Sequence, residues 1–203
     1  LLREKYNVNY WESWKNEEGT LGTAYGYQIA KKFTSPETGK PIDQITRVIE
    51  QLRENPLNRR IMMTLIDVDD LSDMTLIPCA FLTMWTVTEN RLNCTLIQRS
   101  GDFLAAASPG GINSFQYYTL MRMIAQVTGY ELGQFVHFIQ NLHIYDRHEE
   151  ILMQVLNTDV SDRTLPRLEI NPEIKEFSDF TIDDFKLIDY NPDKTKYEIP
   201  IAI

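Results

Sequence analysis

Residues 80–100, "AFLTMWTVTENRLNCTLIQRS", carry the clearest folding signal in the chain, because two strand-like segments are joined by a short turn. The first segment is rich in apolar and β-branched residues, and the second alternates, so both predict β-strands. The pair Glu89-Asn90 between them suits the tight turn of a β-hairpin. Cys94 shares one face of the second segment with two leucines, so we predict that it is a core residue.

Periodic apolar residues predict the other elements around this hairpin. They recur at helical spacing in 42–55 and in the long, mostly apolar segment 114–130, which we expect to be a helix buried on most sides. The remaining segments predict strands at 59–67, 166–170 and 184–190, a strand running into a loop over 134–148, a small-residue loop at 101–113 and a short amphipathic helix at 148–157. Long strands beside helices, without strict β-α-β alternation, predict an α+β fold. We expect residues 1–203 to form a single domain.

Composition and charge exclude several classes of protein. The 203 residues are 43% hydrophobic and 24% charged, which is ordinary for a globular domain and excludes a disordered chain. The net charge of −9 argues against a DNA partner, although a few arginines can still form a pocket for a small anion. No stretch approaches the roughly 18 apolar residues of a membrane span. Two cysteines give no disulfide framework, so we expect a cytoplasmic protein.

Four features of the sequence could carry chemistry. They are Cys79 in "LIPCAFL" (76–82), the pair Arg59-Arg60, the strand end "QRSGD" (98–102), and His143 with Tyr145 on one strand face. Each feature also has an ordinary structural interpretation. Cys79 could be a packed core thiol and the arginine pair could form surface ion pairs. The strand end could be a polar turn, and His143 and Tyr145 could be core polar groups with satisfied hydrogen bonds.

Taken together, these residue types suit a nucleotide pocket that contains a nucleophile. Arginine binds phosphate through bidentate hydrogen bonds, while serine, histidine and tyrosine side chains suit a sugar. An arginine beside a cysteine stabilises the cysteine thiolate. The pattern alone leaves this interpretation open, because it does not show whether the four features converge in space.

Several motifs, in a fixed order, resemble those of the folate-dependent thymidylate synthase family, closest to its bacterial branch. The resemblance runs from about Tyr10 to the C-terminus and rests on "YWESW" (10–14), "GTLGTAYGYQ" (19–28), "NPLNRRIMMT" (55–64), "MTLIPC" (74–79), "LNCTLIQRSGD" (92–102), "SFQYYTLMRMIAQVTGYELGQFVHFIQNLHIYDRH" (114–148) and "INPEIKEFSDFTIDDFKLIDY" (170–190). It implies reductive methylation of dUMP to dTMP with 5,10-methylenetetrahydrofolate as carbon donor and reductant, without a metal. It also implies a large, mixed, twisted sheet that is packed by a long buried helix and shorter helices and dimerises through the sheet.

The resemblance implies a role for each matching site residue. Cys79 matches the nucleophile that adds to C6 of uracil, Arg99 the arginine that contacts both phosphate and cysteine, and Tyr25 the tyrosine that orders water for removal of the C5 proton. Asp102 matches the aspartate that binds the folate pterin and touches the uracil through its backbone. The matches on the substrate side are Ser100 on the phosphate, Arg59 and Arg60 on the phosphate of the other subunit of an obligate homodimer, and His143 and Tyr145 on the ribose 3′-hydroxyl.

The folate side of the family site has matches near both ends of the chain. Trp11 and Trp14 resemble the folate-side aromatic residues. The ending "PIAI" (200–203), with Ala202, resembles the family's C-terminal tail, which closes the site over folate. The alternative for this tail is a frayed terminus.

Asn113 matches the family's base-selecting asparagine, and its chemistry agrees with that role. A side-chain amide can accept a hydrogen bond from uracil N3–H and donate one to uracil O4. Cytosine would instead need a group that accepts from its amino group, such as a carboxylate. An amide at this position therefore favours uracil over cytosine.

Three departures from the family pattern bear on these expectations. Ala80 stands where the family usually has histidine after the nucleophile, which places more of the activation of Cys79 on Arg99. The loop at 103–112, "FLAAASPGGI", is longer than the family's and contains two added glycines, so we expect a changed folate pose. The family's N-terminal part, with a further phosphate-binding arginine and a catalytic glutamate, is not among these 203 residues, and we expect it in a longer chain.

Two alternatives to thymidylate synthase remain. A pyrimidine-nucleotide hydroxymethylase on the same fold would use the same cysteine and folate but let water attack the exocyclic methylene. Trp11 and Asn113 argue against it, while the altered loop leaves it open. The loop and the N-terminal difference also suit a catalytically inactive relative that binds nucleotides or RNA.

Overall fold

The structure, a computed structural model, describes residues 4–5, 10–107, 111–192, 195 and 197–200. None of the helices among these residues is long and apolar enough to cross a membrane. The α-helices are α1 (Gly26–Ala30), α2 (Gln44–Glu54), α3 (Ile112–Thr128) and α4 (Glu149–Leu156). The strands are β1 (Phe33–Thr34), β2 (Pro41–Ile42), β3 (Met62–Thr64), β4 (Ala80–Thr88), β5 (Arg91–Gln98), β6 (Gly101–Asp102), β7 (Glu131–Ile139), β8 (Leu142–His143), β9 (Arg167–Ile170) and β10 (Phe185–Ile188).

A four-stranded mixed sheet in the order β3-β4-β5-β7 forms the centre of the fold. β4 pairs antiparallel with β3 and with β5, whereas β7 pairs parallel with β5. The β4–β5 connection turns at Glu89 and Asn90, whose φ angles of 51° and 61° lie in the left-handed region. Two-residue hairpin turns need such angles, so the predicted hairpin is confirmed.

One face of this sheet packs on α2 and α3 and forms the hydrophobic core. α2 contributes Val48 and Leu52, α3 contributes Met121 and Ile124, and each of these side chains is at most 1% exposed. Cys94 on β5 lies in the same cluster and is 1% exposed, so its predicted core position is confirmed.

Some element boundaries differ from the expectations. The segment 134–148, predicted as a strand running into a loop, contains most of β7 and then a second short strand, β8, and the predicted strand 59–67 shortens to the three residues of β3. The predicted loop 101–113 contains β6 and a π-helical turn at Phe103–Ala107. α3 begins at Ile112 and is buried on its sheet side, while Phe115 on its other side is 43% exposed.

The turn after β6 is ordered by a glycine and a carboxylate. A Cβ at Gly101 would lie 2.5 Å from the Cβ of Ala107, so only glycine allows the turn to fold back this closely. Oδ1 of Asp102 accepts hydrogen bonds from the backbone N–H groups of Leu104 at 3.0 Å and Ala105 at 3.3 Å. A segment that looks like a plain small-residue loop is therefore a capped turn anchored at Asp102.

Leu52 provides a test of this core. Replacing Leu52, which is 0% exposed, with alanine removes buried methyl groups and leaves a cavity, so we expect Leu52→Ala to lower the free energy of unfolding by about 2–5 kcal/mol. Leu165→Ala is the matched control, because Leu165 is 90% exposed and should change stability by less than about 0.5 kcal/mol. Urea denaturation of both variants measures the difference. Equal losses would contradict the assigned core.

Candidate active site

Cys79 lies directly before β4, where the central sheet ends. Its carbonyl oxygen accepts a hydrogen bond from the Arg99 backbone N–H at 2.9 Å, and its own N–H donates to the hydroxyl oxygen of Tyr25 at 3.3 Å. The next residue, Ala80, is fixed by pairing with Gln98 on β5. Cys79 is half-buried, so its backbone is held firmly while its thiol remains accessible at the sheet end.

Arg99 binds the strand that leads into Cys79. Its Nε donates to the Pro78 carbonyl at 3.2 Å and its Nη2 donates to the Ile77 carbonyl at 2.6 Å. These two contacts hold the guanidinium along the chain immediately before Cys79. In the described part of the chain no carboxylate pairs with Arg99, so its charge remains available to a thiolate or to an anionic ligand.

Tyr25 holds an unusual backbone conformation beside Cys79. Its φ of 49° and ψ of −106° lie outside the ordinary regions for a residue with a side chain, which costs of order 1–3 kcal/mol. The Trp11 ring packs edge-on against the Tyr25 ring at 5.5 Å, and Trp14 packs against Trp11 at 6.0 Å. Burial, with the nearby Cys79 thiol, raises the pKa of Tyr25 to about 12. The phenol therefore keeps its proton at neutral pH.

The second half of the site is assembled by the parallel pair β6–β8. In this pair Asp102 lies opposite His143. The His143 ring packs edge-on against Tyr145 at 4.9 Å, and the guanidinium of Arg147 lies 5.0 Å from the centre of the Tyr145 ring. This pairing brings together two of the predicted chemical features, "QRSGD" and "NLHIYDRH". The paired residues Asp102 and His143 are 41 positions apart in the sequence.

His148 is a site residue that the sequence reasoning missed. It is 0% exposed, and its Nε2 donates to the Pro200 carbonyl at 2.8 Å. Its Nδ1 lies 3.6 Å from Oδ2 of Asp102, too far for a hydrogen bond, so this contact is electrostatic and depends on the charge of His148. The available signal was a histidine on the same short segment as His143 and Tyr145.

Asn113 and Ser100, the predicted base and phosphate residues, both lie within the described part of the chain. Asn113 is half-buried in the first turn of α3, and Ser100 is half-buried directly after Arg99. The central residues of the longer loop, 108–110, lie outside the described residues, and so does Ala202 of the tail.

Arg59 and Arg60 are the predicted site residues that the chain does not bring to Cys79. They are exposed before β3 and line a surface cavity of about 410 Å³ with Asn55, Leu57 and Asn58. Within the described residues, neither guanidinium forms a hydrogen bond or an ion pair with another side chain.

Comparison with known proteins identifies the family. The family model described as thymidylate synthase matches residues 2–203. Thymidylate synthase 1 of Bacillus amyloliquefaciens is 44% identical over 198 residues, which cover 97% of this chain and 84% of the relative. The chain belongs to the thymidylate synthase family. This confirms the predicted family and the predicted activity, that of a methyltransferase acting as thymidylate synthase.

Two further members of the thymidylate synthase family support the same assignment. Thymidylate synthase of Bacillus licheniformis is 45% identical over 195 residues, which cover 96% of this chain and 68% of the relative. The solved structure of thermostable thymidylate synthase A from Bacillus subtilis matches with a TM-score of 0.85 and 43% identity, covering 96% of this chain and 68% of that chain. The predicted fold is thereby confirmed, while the roles of individual site residues stay predictions.

The two cysteines should differ sharply in reactivity towards iodoacetamide. Burial raises the pKa of the Cys94 thiol to about 12, and the side chain is 1% exposed, whereas Cys79 is half-buried at the sheet end. We expect the folded protein at pH 8 to gain one adduct, located on Cys79 by peptide mass mapping. Cys94→Ala should still gain one adduct, and Cys79→Ala none. Modification of Cys94 in the folded protein would contradict this arrangement.

Proposed function

We propose that this site converts dUMP to dTMP by reductive methylation, with 5,10-methylenetetrahydrofolate as co-substrate. One observation carries the proposal. An accessible Cys79 lies at the end of the central sheet, and its carbonyl accepts a hydrogen bond from the Arg99 backbone N–H. The Arg99 guanidinium binds the carbonyls of the two residues before Cys79. An activated thiolate needs a fixed position and a nearby positive charge, and this geometry supplies both.

Cys79 acts as the nucleophile in this proposal. Its thiolate adds to C6 of the uracil, and the electron pair of the C5–C6 double bond moves towards C5 and its neighbouring carbonyl. C5 then bonds to the one-carbon unit, and loss of the C5 proton with cleavage of the carbon–nitrogen bond to the folate would leave an exocyclic methylene on the base. Hydride addition to that methylene would restore the C5–C6 double bond as the Cys79 thiolate leaves C6. When bound, the folate supplies the one-carbon unit and the hydride that reduces it to a methyl group.

Tyr25 and Arg99 assist this chemistry from either side of Cys79. The Tyr25 oxygen accepts from the Cys79 N–H, so its own proton is free to orient a water near the base. Because the pKa of Tyr25 is raised to about 12, the hydroxyl orients water and does not itself act as the base. Arg99 stabilises the thiolate before addition and after release.

The nucleotide is held by groups from three segments. Ser100 and Arg99 bind the phosphate, and Asn113 selects uracil by accepting from N3–H and donating to O4. His143 and Tyr145 bind the ribose 3′-hydroxyl, and their edge-on ring packing at 4.9 Å fixes both side chains for this contact.

The residues around Trp11 fit a folate. Trp11, Trp14 and Tyr25 form a continuous aromatic surface that begins at the Cys79 backbone, which suits a flat pterin or aminobenzoyl ring. Asp102 offers a carboxylate for the pterin N–H groups, with Oδ2 not used by the turn that follows it. Ala202 closes the site in this proposal, which is supported by the contact of the Pro200 carbonyl with His148, the histidine that faces Asp102.

The active form is proposed to be a homodimer of this one domain, joined through the outer sheet face. That face carries an exposed apolar row in which Met62 pairs with Met84 and Thr95 pairs with Val136, with Met62, Met84 and Val136 from 40% to 50% exposed. Such a patch needs a partner. Arg59 and Arg60 precede the edge strand β3 and would then reach the phosphate of the other subunit.

We place the protein in the cytoplasm. Both cysteines are free thiols, and the proposed reaction requires Cys79 to remain reduced. A reducing compartment meets this requirement.

The proposed reaction is tested with the full-length protein. With dUMP and methylenetetrahydrofolate we expect dTMP as the product, and with 5-fluoro-dUMP in place of dUMP a covalent adduct on Cys79 by intact mass. Cys79→Ala should lower turnover by at least about 10³-fold while dUMP still binds, because the covalent path is lost. Cys94→Ala is the matched control and should keep turnover. A hydroxymethyl nucleotide, one oxygen heavier than dTMP, would identify the hydroxymethylase instead, and a folded, dUMP-binding protein without an adduct would identify an inactive relative.

Mixing two inactive variants tests the shared site. Arg60→Ala removes a phosphate contact made to the other subunit, whereas Cys79→Ala removes the nucleophile of the same subunit. A mixed dimer contains one site in which both groups are intact, so we expect activity to return after the two variants are unfolded and refolded together. Each variant refolded alone is the control. No recovery, with mixed dimers shown by mass spectrometry, would place Arg60 and Cys79 in the site of one subunit.

A further inference from the structure

Three side chains form a continuous hydrogen-bonded connection between β5, β7 and α3. Ser114 Oγ lies 3.0 Å from Nδ1 of His137, Nε2 of His137 lies 2.9 Å from Oε1 of Gln98, and Nε2 of Gln98 lies 2.8 Å from the Ser100 carbonyl oxygen. We call this the Ser114–His137–Gln98 chain. It joins the residue after Asn113 to the backbone of Ser100.

The direction of every hydrogen bond in the chain can be assigned. The Ser100 carbonyl only accepts, so the Gln98 amide nitrogen faces it and the Gln98 amide oxygen faces His137. That oxygen requires a proton on Nε2 of His137, which leaves Nδ1 as the acceptor of the Ser114 hydroxyl proton. A neutral His137 therefore satisfies the whole chain, and burial lowers the pKa of His137 towards this neutral form.

The Gln98 side chain is held at a point where an apolar residue would ordinarily pack. It is 1% exposed, and burying an amide is unfavourable unless its donor and acceptor are both paired. A Cβ at Gly101 would lie 3.0 Å from the Gln98 amide nitrogen, so the absence of a side chain at Gly101 keeps room for the amide. Gln98 also pairs with Ala80, the residue after Cys79.

We propose that the Ser114–His137–Gln98 chain is a positioning device that fixes the base subsite at Asn113 relative to the phosphate subsite at Ser100. This inference rests on the proposed function, because the roles of Asn113 and Ser100 come from it. The three side chains touch neither substrate nor co-substrate; they act through the residues they hold. A nucleotide that contacts both subsites binds best when their separation is fixed beforehand, since less ordering is needed on binding.

The decisive comparison is Ser114→Val against Ser114→Thr. The two replacements have the same branched shape, but only threonine keeps the hydroxyl that donates to His137. We expect Ser114→Val to raise the KM for dUMP about three- to tenfold with a smaller change in kcat, and Ser114→Thr to restore most of the affinity. Thr119→Val is the control on the same helix, because it removes a hydroxyl that binds only the Phe115 carbonyl.

A double-mutant cycle with His137→Phe completes the test. Phenylalanine keeps a planar ring but removes both hydrogen-bonding nitrogens, so the KM effects of Ser114→Val and His137→Phe should be strongly non-additive. Two outcomes would overturn the proposal. One is a lower melting temperature with unchanged KM in all variants, and the other is equal KM values for Ser114→Val and Ser114→Thr. Either would show that the Ser114–His137–Gln98 chain has only a structural role. Both outcomes presuppose that the unmodified protein forms dTMP; if it does not, the proposed function fails instead, and the two failures are told apart.

Discussion

The hydrogen bond from the Arg99 backbone N–H to the Cys79 carbonyl is the contact on which the rest of the site depends. It extends the antiparallel β4–β5 pairing one step beyond Ala80 and Gln98, so Cys79 and Arg99 are fixed opposite each other by backbone geometry. Pro78 has no N–H to add to a ladder, and its carbonyl instead accepts from the Arg99 guanidinium. The position of Cys79 is thus set by the sheet and does not require a rigid loop.

The sequence predicted those features whose signals are local. The hairpin turn, the α2 helix and the core position of Cys94 follow from spacing and turn chemistry within a short stretch. The β6–β8 pair and the contact between Asp102 and His148 join residues about forty apart or more, and no local pattern encodes them. The conformation of Tyr25 was also hidden, because a positive φ at tyrosine is set by its packing on Trp11 and its hydroxyl contact to Cys79.

Recognition of the family supplied what pattern could not. From its neighbours alone, Cys79 was more naturally a packed core thiol, and only the order of distant motifs changed that interpretation. The structure then separates the two cysteines on physical grounds, since Cys94 is buried among apolar side chains, whereas Cys79 directly precedes β4 opposite Arg99. Asp102 shows the opposite case. Its segment suits a polar turn in sequence but forms strand β6, and one carboxylate oxygen caps the turn that follows while the other faces His148.

Charge explains why the proposed second subunit would benefit such a site. The nucleotide phosphate is an anion, and the chain carries a net charge of −9, so its long-range field opposes binding. Two of the five N–H donors of Arg99 already bind backbone carbonyls. Arg99 alone therefore offers only its remaining donors to a phosphate. In the proposed homodimer, Arg59 and Arg60, exposed and without a carboxylate partner in the described residues, would be the complementary charges. Gathering three guanidinium groups at one point is unfavourable until an anion separates them, so in a dimer of this kind nucleotide binding and the geometry of the interface become thermodynamically linked.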